Sequence, residues 1–202
     1  TLAPDCGPAV AHPPAGAGDT GGGPRLTAAS QGGGAGPFDL PADLDKNIVY
    51  VKYSQPLSLG GMGDARLRLA LVGYENAWVA SDQIPLRAVE DGAIGRFGFI
   101  DPTNGGVSKR YMASAGLEWD DASVLAYVQK SDLNLFHNFT YFLDPVLGDQ
   151  VEQVEDRFAA GARARMERAF DFFGVRAEGR IGADAHFDWL DETALYTTTA
   201  RV

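Results

Sequence analysis

Six arginines stand where they could meet an anionic ligand. Arg66 and Arg68, Arg163 and Arg165, and Arg176 and Arg180 recur at even spacings within apolar runs. In an extended chain side chains alternate with period two, so each pair falls on one side of its strand. A guanidinium is permanently charged and donates through a planar fork that fits carboxylates and phosphates. The competing use is structural: such arginines pair with carboxylates on neighbouring strands, here Glu118 or Glu178. The expectation is six ligand-facing arginines, with ion pairing as the more frequent role.

Other chemistry-bearing residues offer less. His12, His137 and His186 are far apart and lack metal-ligand spacing. The acidic group Asp144, Asp149, Glu152, Glu155 and Asp156 lacks the spacing of a calcium loop and reads as a solvated loop. Asn138-Phe139-Thr140 fits a glycosylation sequon, a short pattern that by itself decides nothing. The glycine runs 21–23 and 32–34 lack the strand, helix and lysine of a phosphate loop. No serine sits in a nucleophile elbow. Cys6 is the single cysteine, so no internal disulfide and no thiolate metal site is expected. The residues predict neither an enzyme nor a cofactor.

Charge and hydropathy narrow the class. The chain has 202 residues and a formal net charge of −10, which argues against a phosphate-binding surface and against nucleic acid as a partner. No apolar run approaches the roughly 20 residues of a spanning helix. Leu67 to Gly73, the most apolar stretch, is interrupted by Arg68. Either the protein is soluble or it crosses a membrane as strands, whose alternation weakens any hydropathy signal.

The elements that would position the arginines are strands. Residues 1–37 hold 10 of the 25 glycines and 6 of the 11 prolines, with no aromatic residue. They predict a low-complexity, disordered stretch set apart from residues 38–202. From Asn47 the pattern is β. Asn47–Gln55 is rich in β-branched and aromatic residues. In 64–78, Leu67, Leu69 and Leu71 alternate with Arg66 and Arg68. In 108–119, Tyr111, Ala113, Ala115, Leu117 and Trp119 share a face. In 123–135, Leu125, Tyr127, Leu133 and Leu135 share a face opposite Lys130, Asp132 and Asn134, an alternation that Gln129 and Ser131 break. In 156–166, Phe158, Ala160, Ala162, Ala164 and Met166 oppose Arg157, Arg163 and Arg165. A turn near Arg168 then leads to 170–182, where Phe173, Val175, Ala177 and Ile181 oppose Arg176, Glu178 and Arg180. Residues 193–202 read as a further strand beginning.

Three features point toward a barrel in lipid. Short and long connections alternate, several strands exceed the 9–11 residues that cross a bilayer, and one face is arginine-rich. Aromatic residues flank the strands: Tyr53, Trp119 and Phe170 near the short turns, Tyr74, Trp78 and Tyr111 near the long ones. The expected fold is all-β, an antiparallel up-and-down transmembrane barrel segment of about six long strands. The alternative is a soluble antiparallel β-sheet binding module with an acidic surface.

Particular phrases carry a resemblance. The run from Leu135 through Asn138-Phe139-Thr140 to Asp144-Pro145, with Gly148-Asp149-Gln150 and Glu152-Gln153, resembles a strand and loop of bacterial TonB-dependent receptors. Ser81-Asp82-Gln83-Ile84-Pro85, Arg87-Ala88-Val89, Arg96-Phe97-Gly98 and Ile100-Asp101-Pro102-Thr103 resemble an extracellular loop of that family. Gly36-Pro37-Phe38 and Pro41-Ala42-Asp43-Leu44 resemble the lead into an earlier strand. The resemblance spans residues 36–202. It implies a large barrel of about 22 strands, a plug, a TonB box, and energised uptake of a scarce nutrient such as a metal chelate across the bacterial outer membrane. The expected partners are outer-membrane lipid, the TonB complex through an N-terminal region absent here, and the nutrient. Plug and TonB box are not in this sequence, so the expectation is a receptor fragment that does not transport alone.

Overall fold

The computed structural model describes residues 25–33 (backbone), 39–40, 43–138, 144–146 and 148–202. Seven strands form one antiparallel sheet in sequence order: β1 Arg25–Gly33, β2 Asp45–Ser58, β3 Asp64–Val79, β4 Gly105–Glu118, β5 Ala122–His137, β6 Val151–Phe172 and β7 Val175–Thr197. Each strand pairs with the next, an up-and-down meander with no crossover. The only described helical pieces are a 3-10 turn, Gly60–Met62, and α1, Leu86–Glu90.

Connections 59–63, 119–121 and 173–174 lie at one end of the sheet, and 80–104 and 138–150 at the other. Short and long connections therefore segregate by end, as the alternation predicts.

Register sorts the side chains into two faces, because paired residues point the same way. On one face three successive rows are apolar except for Gln55. They run Val51, Leu71, Ala113, Val128, Ala160, Phe187; then Tyr53, Leu69, Ala115, Ala126, Ala162, Ala185; then Gln55, Leu67, Leu117, Val124, Ala164, Ala183. Toward the long loops the next row is Gly73, Tyr111, Lys130, Phe158, Trp189, and the row beyond is charged: Glu75, Lys109, Asp132, Asp156, Glu192. Among the described residues nothing packs on these rows. Ala65 and Ala159 are the only apolar residues buried among those described, while Leu71, Val128, Ile181 and Phe187 are exposed. Among the described residues the sheet is a single open layer without a core of its own.

Several expectations need correction. Within the stretch expected to be disordered, Arg25–Gly33 pairs along its whole length with β2; strand addition rests on backbone hydrogen bonds, which a composition argument about side chains does not weigh. The rest of 1–37, apart from this strand, lies outside the described residues. In β5 the apolar face belongs to Val124, Ala126 and Val128, and Leu125 and Tyr127 face the polar side. Val, Ala and Val are weaker cues than Leu and Tyr, but register with β4 and β6 decides. There is no turn near Arg168: β6 and β7 form one hairpin of 22 and 23 residues that reverses at Phe173-Gly174. Both turn residues take positive φ, 50° and 78°, the requirement of a tight two-residue hairpin. Phe in that role carries no turn signature, which hid the reversal. Thr193–Thr197 ends β7 rather than opening a new strand. Likewise β6 begins at Val151, so Glu152, Glu155 and Asp156 are strand residues.

Candidate functional site

All six arginines lie on the polar face, in its half nearest the short turns. Arg66 and Arg165 occupy one row, with Glu118 and Ser123 between them; Arg68 and Arg163 occupy the next, separated by Gly116 and Leu125. Most are paired. Arg68 meets Glu118 and Arg163 meets Asp184. Arg180 lies 3.2 Å from both Glu167 and Glu178, and Arg176 sits opposite Asp171. Arg165 stands between Ser123 and Gly182 in the ladder. A sheet places like charges two residues apart along a strand, so neighbouring carboxylates are needed to offset their repulsion. The face is an alternating charge lattice more than a bare cationic funnel.

Next to this lattice lies a linked chain that sequence spacing did not reveal. The Tyr127 hydroxyl is 2.7 Å from His186 Nδ1, His186 Nε2 is 2.7 Å from Asp188, and Arg157 Nε donates to Asp188 at 2.7 Å. Three strands contribute, and Gly161 makes the bridge possible. It sits between Tyr127 and His186 in the ladder, and a Cβ there would fall 2.5 Å from the Tyr127 ring. The ring lies over the glycine to reach the histidine. His186 lies in the middle of β7. Both its nitrogens are engaged, by a phenol and a carboxylate. A period-two reading of single strands cannot find this set, because it forms only across strands.

At the long-loop end a buried polar clasp ties three segments together. Asp101 accepts from the Thr103 amide at 2.8 Å and its hydroxyl at 2.5 Å, from Asn138 Nδ2 at 2.8 Å and from Gln150 Nε2 at 3.3 Å. Gln150 Nε2 also donates to the Thr103 hydroxyl at 2.7 Å, and Gln150 Oε1 accepts from the Arg201 amide at 2.8 Å. The Asp149 amide donates to Asn138 Oδ1 at 3.0 Å. Arg201 closes the ring through Nε to the Thr103 carbonyl at 2.6 Å and lies over the Phe136 ring at 5.2 Å. Gln150 and Asn138 are 1% and 3% exposed, so this is an interior network, not a solvated loop. Burial raises the Asp101 carboxyl, but the hydrogen bonds from Thr103 and Asn138 and the Arg201 charge outweigh it and hold it below its ordinary range. Nearby Asp82, which accepts from Asn104 Nδ2 at 2.7 Å, is pushed up, chiefly by burial.

The phrases that carried the family resemblance meet here: Asp101 and Thr103 from one long loop, Asn138, Asp149 and Gln150 from the other. Of the acidic group, Glu152 accepts from Asn134 at 2.7 Å and Asp156 pairs with Lys130. Among the described residues no group of three or more His, Cys, Asp or Glu is arranged to hold a metal ion. His12 and Cys6 lie outside the described residues. Comparison with protein-family models, with curated proteins and with solved structures returned no match.

Proposed function

We propose that this chain is a segment of the wall and outer loops of an outer-membrane TonB-dependent receptor, which takes up a scarce nutrient carried as an anionic metal chelate. What carries the reading is the order of rows on the exposed face. Apolar rows of Leu, Val and Ala give way to a row with Tyr111, Lys130, Phe158 and Trp189, and then to a row that is charged from β3 to β7 with Asn47 at its β2 end, all toward the long loops. Hydrocarbon, interface and water would require that sequence of side chains. A soluble sheet would need a second layer over those rows, since an exposed apolar patch of this kind is unfavourable in water. The opposite face, with its arginine and carboxylate lattice, would line the lumen. The loops held by the Asp101 clasp would face the outside and frame ligand entry. The nutrient would meet the arginines, and the TonB complex would engage a region outside this sequence. Outer-membrane lipid is the third partner.

The test is folding of the full chain from urea into phosphatidylcholine vesicles and into plain buffer. The reading expects β circular dichroism and protease resistance in vesicles only. A cooperatively folding, monodisperse protein in buffer alone would overturn it and return the soluble binding module.

A further inference from the structure

On the apolar face the charges stop at the Lys130 row, with one exception. From the row of Val51 and Leu71 to the tip of the β6–β7 hairpin, Arg168 is the single charged residue that the described strands β2 to β7 place on that face. Phe158 bounds the apolar band at the long-loop end of β6, and Arg168 bounds it at the other. A strand running from Phe158 to Arg168 and tilted by about 40° rises roughly 25 Å, the height of the apolar band of a barrel in lipid. Beyond Arg168 the face carries Phe170 opposite Ala177 and Phe172 opposite Val175, with both rings exposed. Aromatic rings therefore stand at this boundary too.

The surroundings of Arg168 supply no anion. β6 meets β5 only as far as Met166, opposite Ala122, so beyond that pair no strand borders β6 on that side. Gly179, opposite Arg168, has no side chain, and the Phe170 ring leans onto it, 3.0 Å from where a Cβ would stand. The hairpin carboxylates Glu167, Asp171 and Glu178 belong to the other face by strand parity, where Glu167 and Glu178 engage Arg180. Among the described residues Arg168 is exposed and makes no ion pair.

We propose that Arg168 binds the headgroup phosphate of an anionic phospholipid in the leaflet at the short-turn end. Its methylenes lie along the apolar face and its planar fork meets the phosphate oxygens. Charge selects this occupant. A protein layer packed over the face would bury the guanidinium unpaired, whereas a lipid phosphate neutralises it at the boundary where the apolar rows end. The inference rests on the barrel reading and gives the lipid partner a fixed point of contact.

The test is urea unfolding of the full chain from phosphatidylcholine vesicles with and without phosphatidylglycerol. Phosphatidylglycerol should favour the folded state about fivefold more in the unsubstituted chain than in Arg168→Gln. Arg168→Lys should keep most of that preference. Ala177→Glu, which sets a carboxylate beside Arg168 on its own face, should lose it while leaving the guanidinium in place. Lys52→Gln removes the same charge from the polar face, where Lys52 lies opposite Ala70, and should respond as the unsubstituted chain does. Soluble glycerol phosphate added to phosphatidylcholine vesicles should give no such gain. An equal response in Arg168→Gln, an equal loss in Lys52→Gln, or a gain from glycerol phosphate overturns the lipid site. Each of these leaves the barrel reading in place, because the chain has folded in vesicles. An unsubstituted chain that does not fold in either vesicle overturns both.

Discussion

Gly161 and Gly73 make opposite demands on the same substitution. A Cβ at Gly161 would strike the Tyr127 ring, whereas at Gly73 it would meet the Tyr111 ring at 3.8 Å, ordinary contact. Replacing a strand glycine by alanine normally gains about 0.5–1 kcal/mol through lost unfolded-state freedom. Gly73→Ala should show that gain in urea titration. Gly161→Ala should forfeit it, because Tyr127 must leave His186, and the His186 ring resonances should shift. The Asp101 clasp makes a sharper demand. Both carboxylate oxygens accept hydrogen bonds from N–H or O–H donors. Asp101→Asn turns an NH2 group toward other donors at a cost of about 1–3 kcal/mol. Local opening of the long loops should rise roughly 5- to 150-fold, read by hydrogen exchange or by trypsin cleavage at Arg87 and Arg96. The pH dependence follows from the lowered carboxyl. A carboxylate with a depressed folded pKa stabilises fully above its unfolded value of 3.8 and loses that contribution as pH falls through the folded value. The clasp should hold from neutrality to below pH 3.8, and loop exchange should accelerate only beneath it. Cleavage that rises between pH 5 and 7 would contradict this.

At the scale of elements, the strands were legible because alternation is a strong signal when one face is apolar throughout. The Leu67, Leu69, Leu71 set in β3 and the Phe158 to Met166 set in β6 fell on one face as read. In β5 both faces carry apolar residues, so alternation grouped Leu125, Tyr127, Leu133 and Leu135 on one face but could not choose which side of the sheet it joins, and register did. The arginines' shared face was readable from spacing; their pairing with Glu118, Asp184 and Glu167 was only partly so, since partners come from other strands. The clasp was legible only as phrases, because its donors and acceptors are far apart in sequence. The β6–β7 reversal was hidden by its chemistry. Phe173 has φ of 50° and is 93% exposed, so its ring contributes little that would offset the left-handed backbone. That conformation costs roughly 1–2 kcal/mol for an ordinary residue and much less for asparagine. Phe173→Asn should therefore stabilise the hairpin by about 1 kcal/mol, seen as slower exchange of the amides of 168–180. Unchanged exchange would mean that the Phe172–Phe173 edge contact, at 4.7 Å, offsets the strain.

For the molecule as a whole the question is which solvent the apolar rows meet, and two adjacent residues of β4 put it to the test. Ala115 lies in the middle apolar row, between Leu69 and Ala126; Ser114 lies on the polar face, between Ala70 and Tyr127. Backbone, strand and neighbours are shared, so arginine at either position differs only in the face it enters. If the apolar rows sit in hydrocarbon, Ala115→Arg places a guanidinium near the midplane and should cost about 2–4 kcal/mol. Ser114→Arg would enter a wet, charged face and should cost less than about 1 kcal/mol. The measurement is urea unfolding of both variants from phosphatidylcholine vesicles. A soluble sheet inverts the expectation. There the exposed rows are a liability in water, and Ala115→Arg would be neutral or would improve solubility, with no asymmetry between faces. Equal costs would leave the band of Leu, Val and Ala without a lipid role, and the aromatic row beside it would then be ordinary packing surface awaiting a second layer. A large asymmetry in the stated direction would mean that the sheet has no core of its own because the bilayer takes that place.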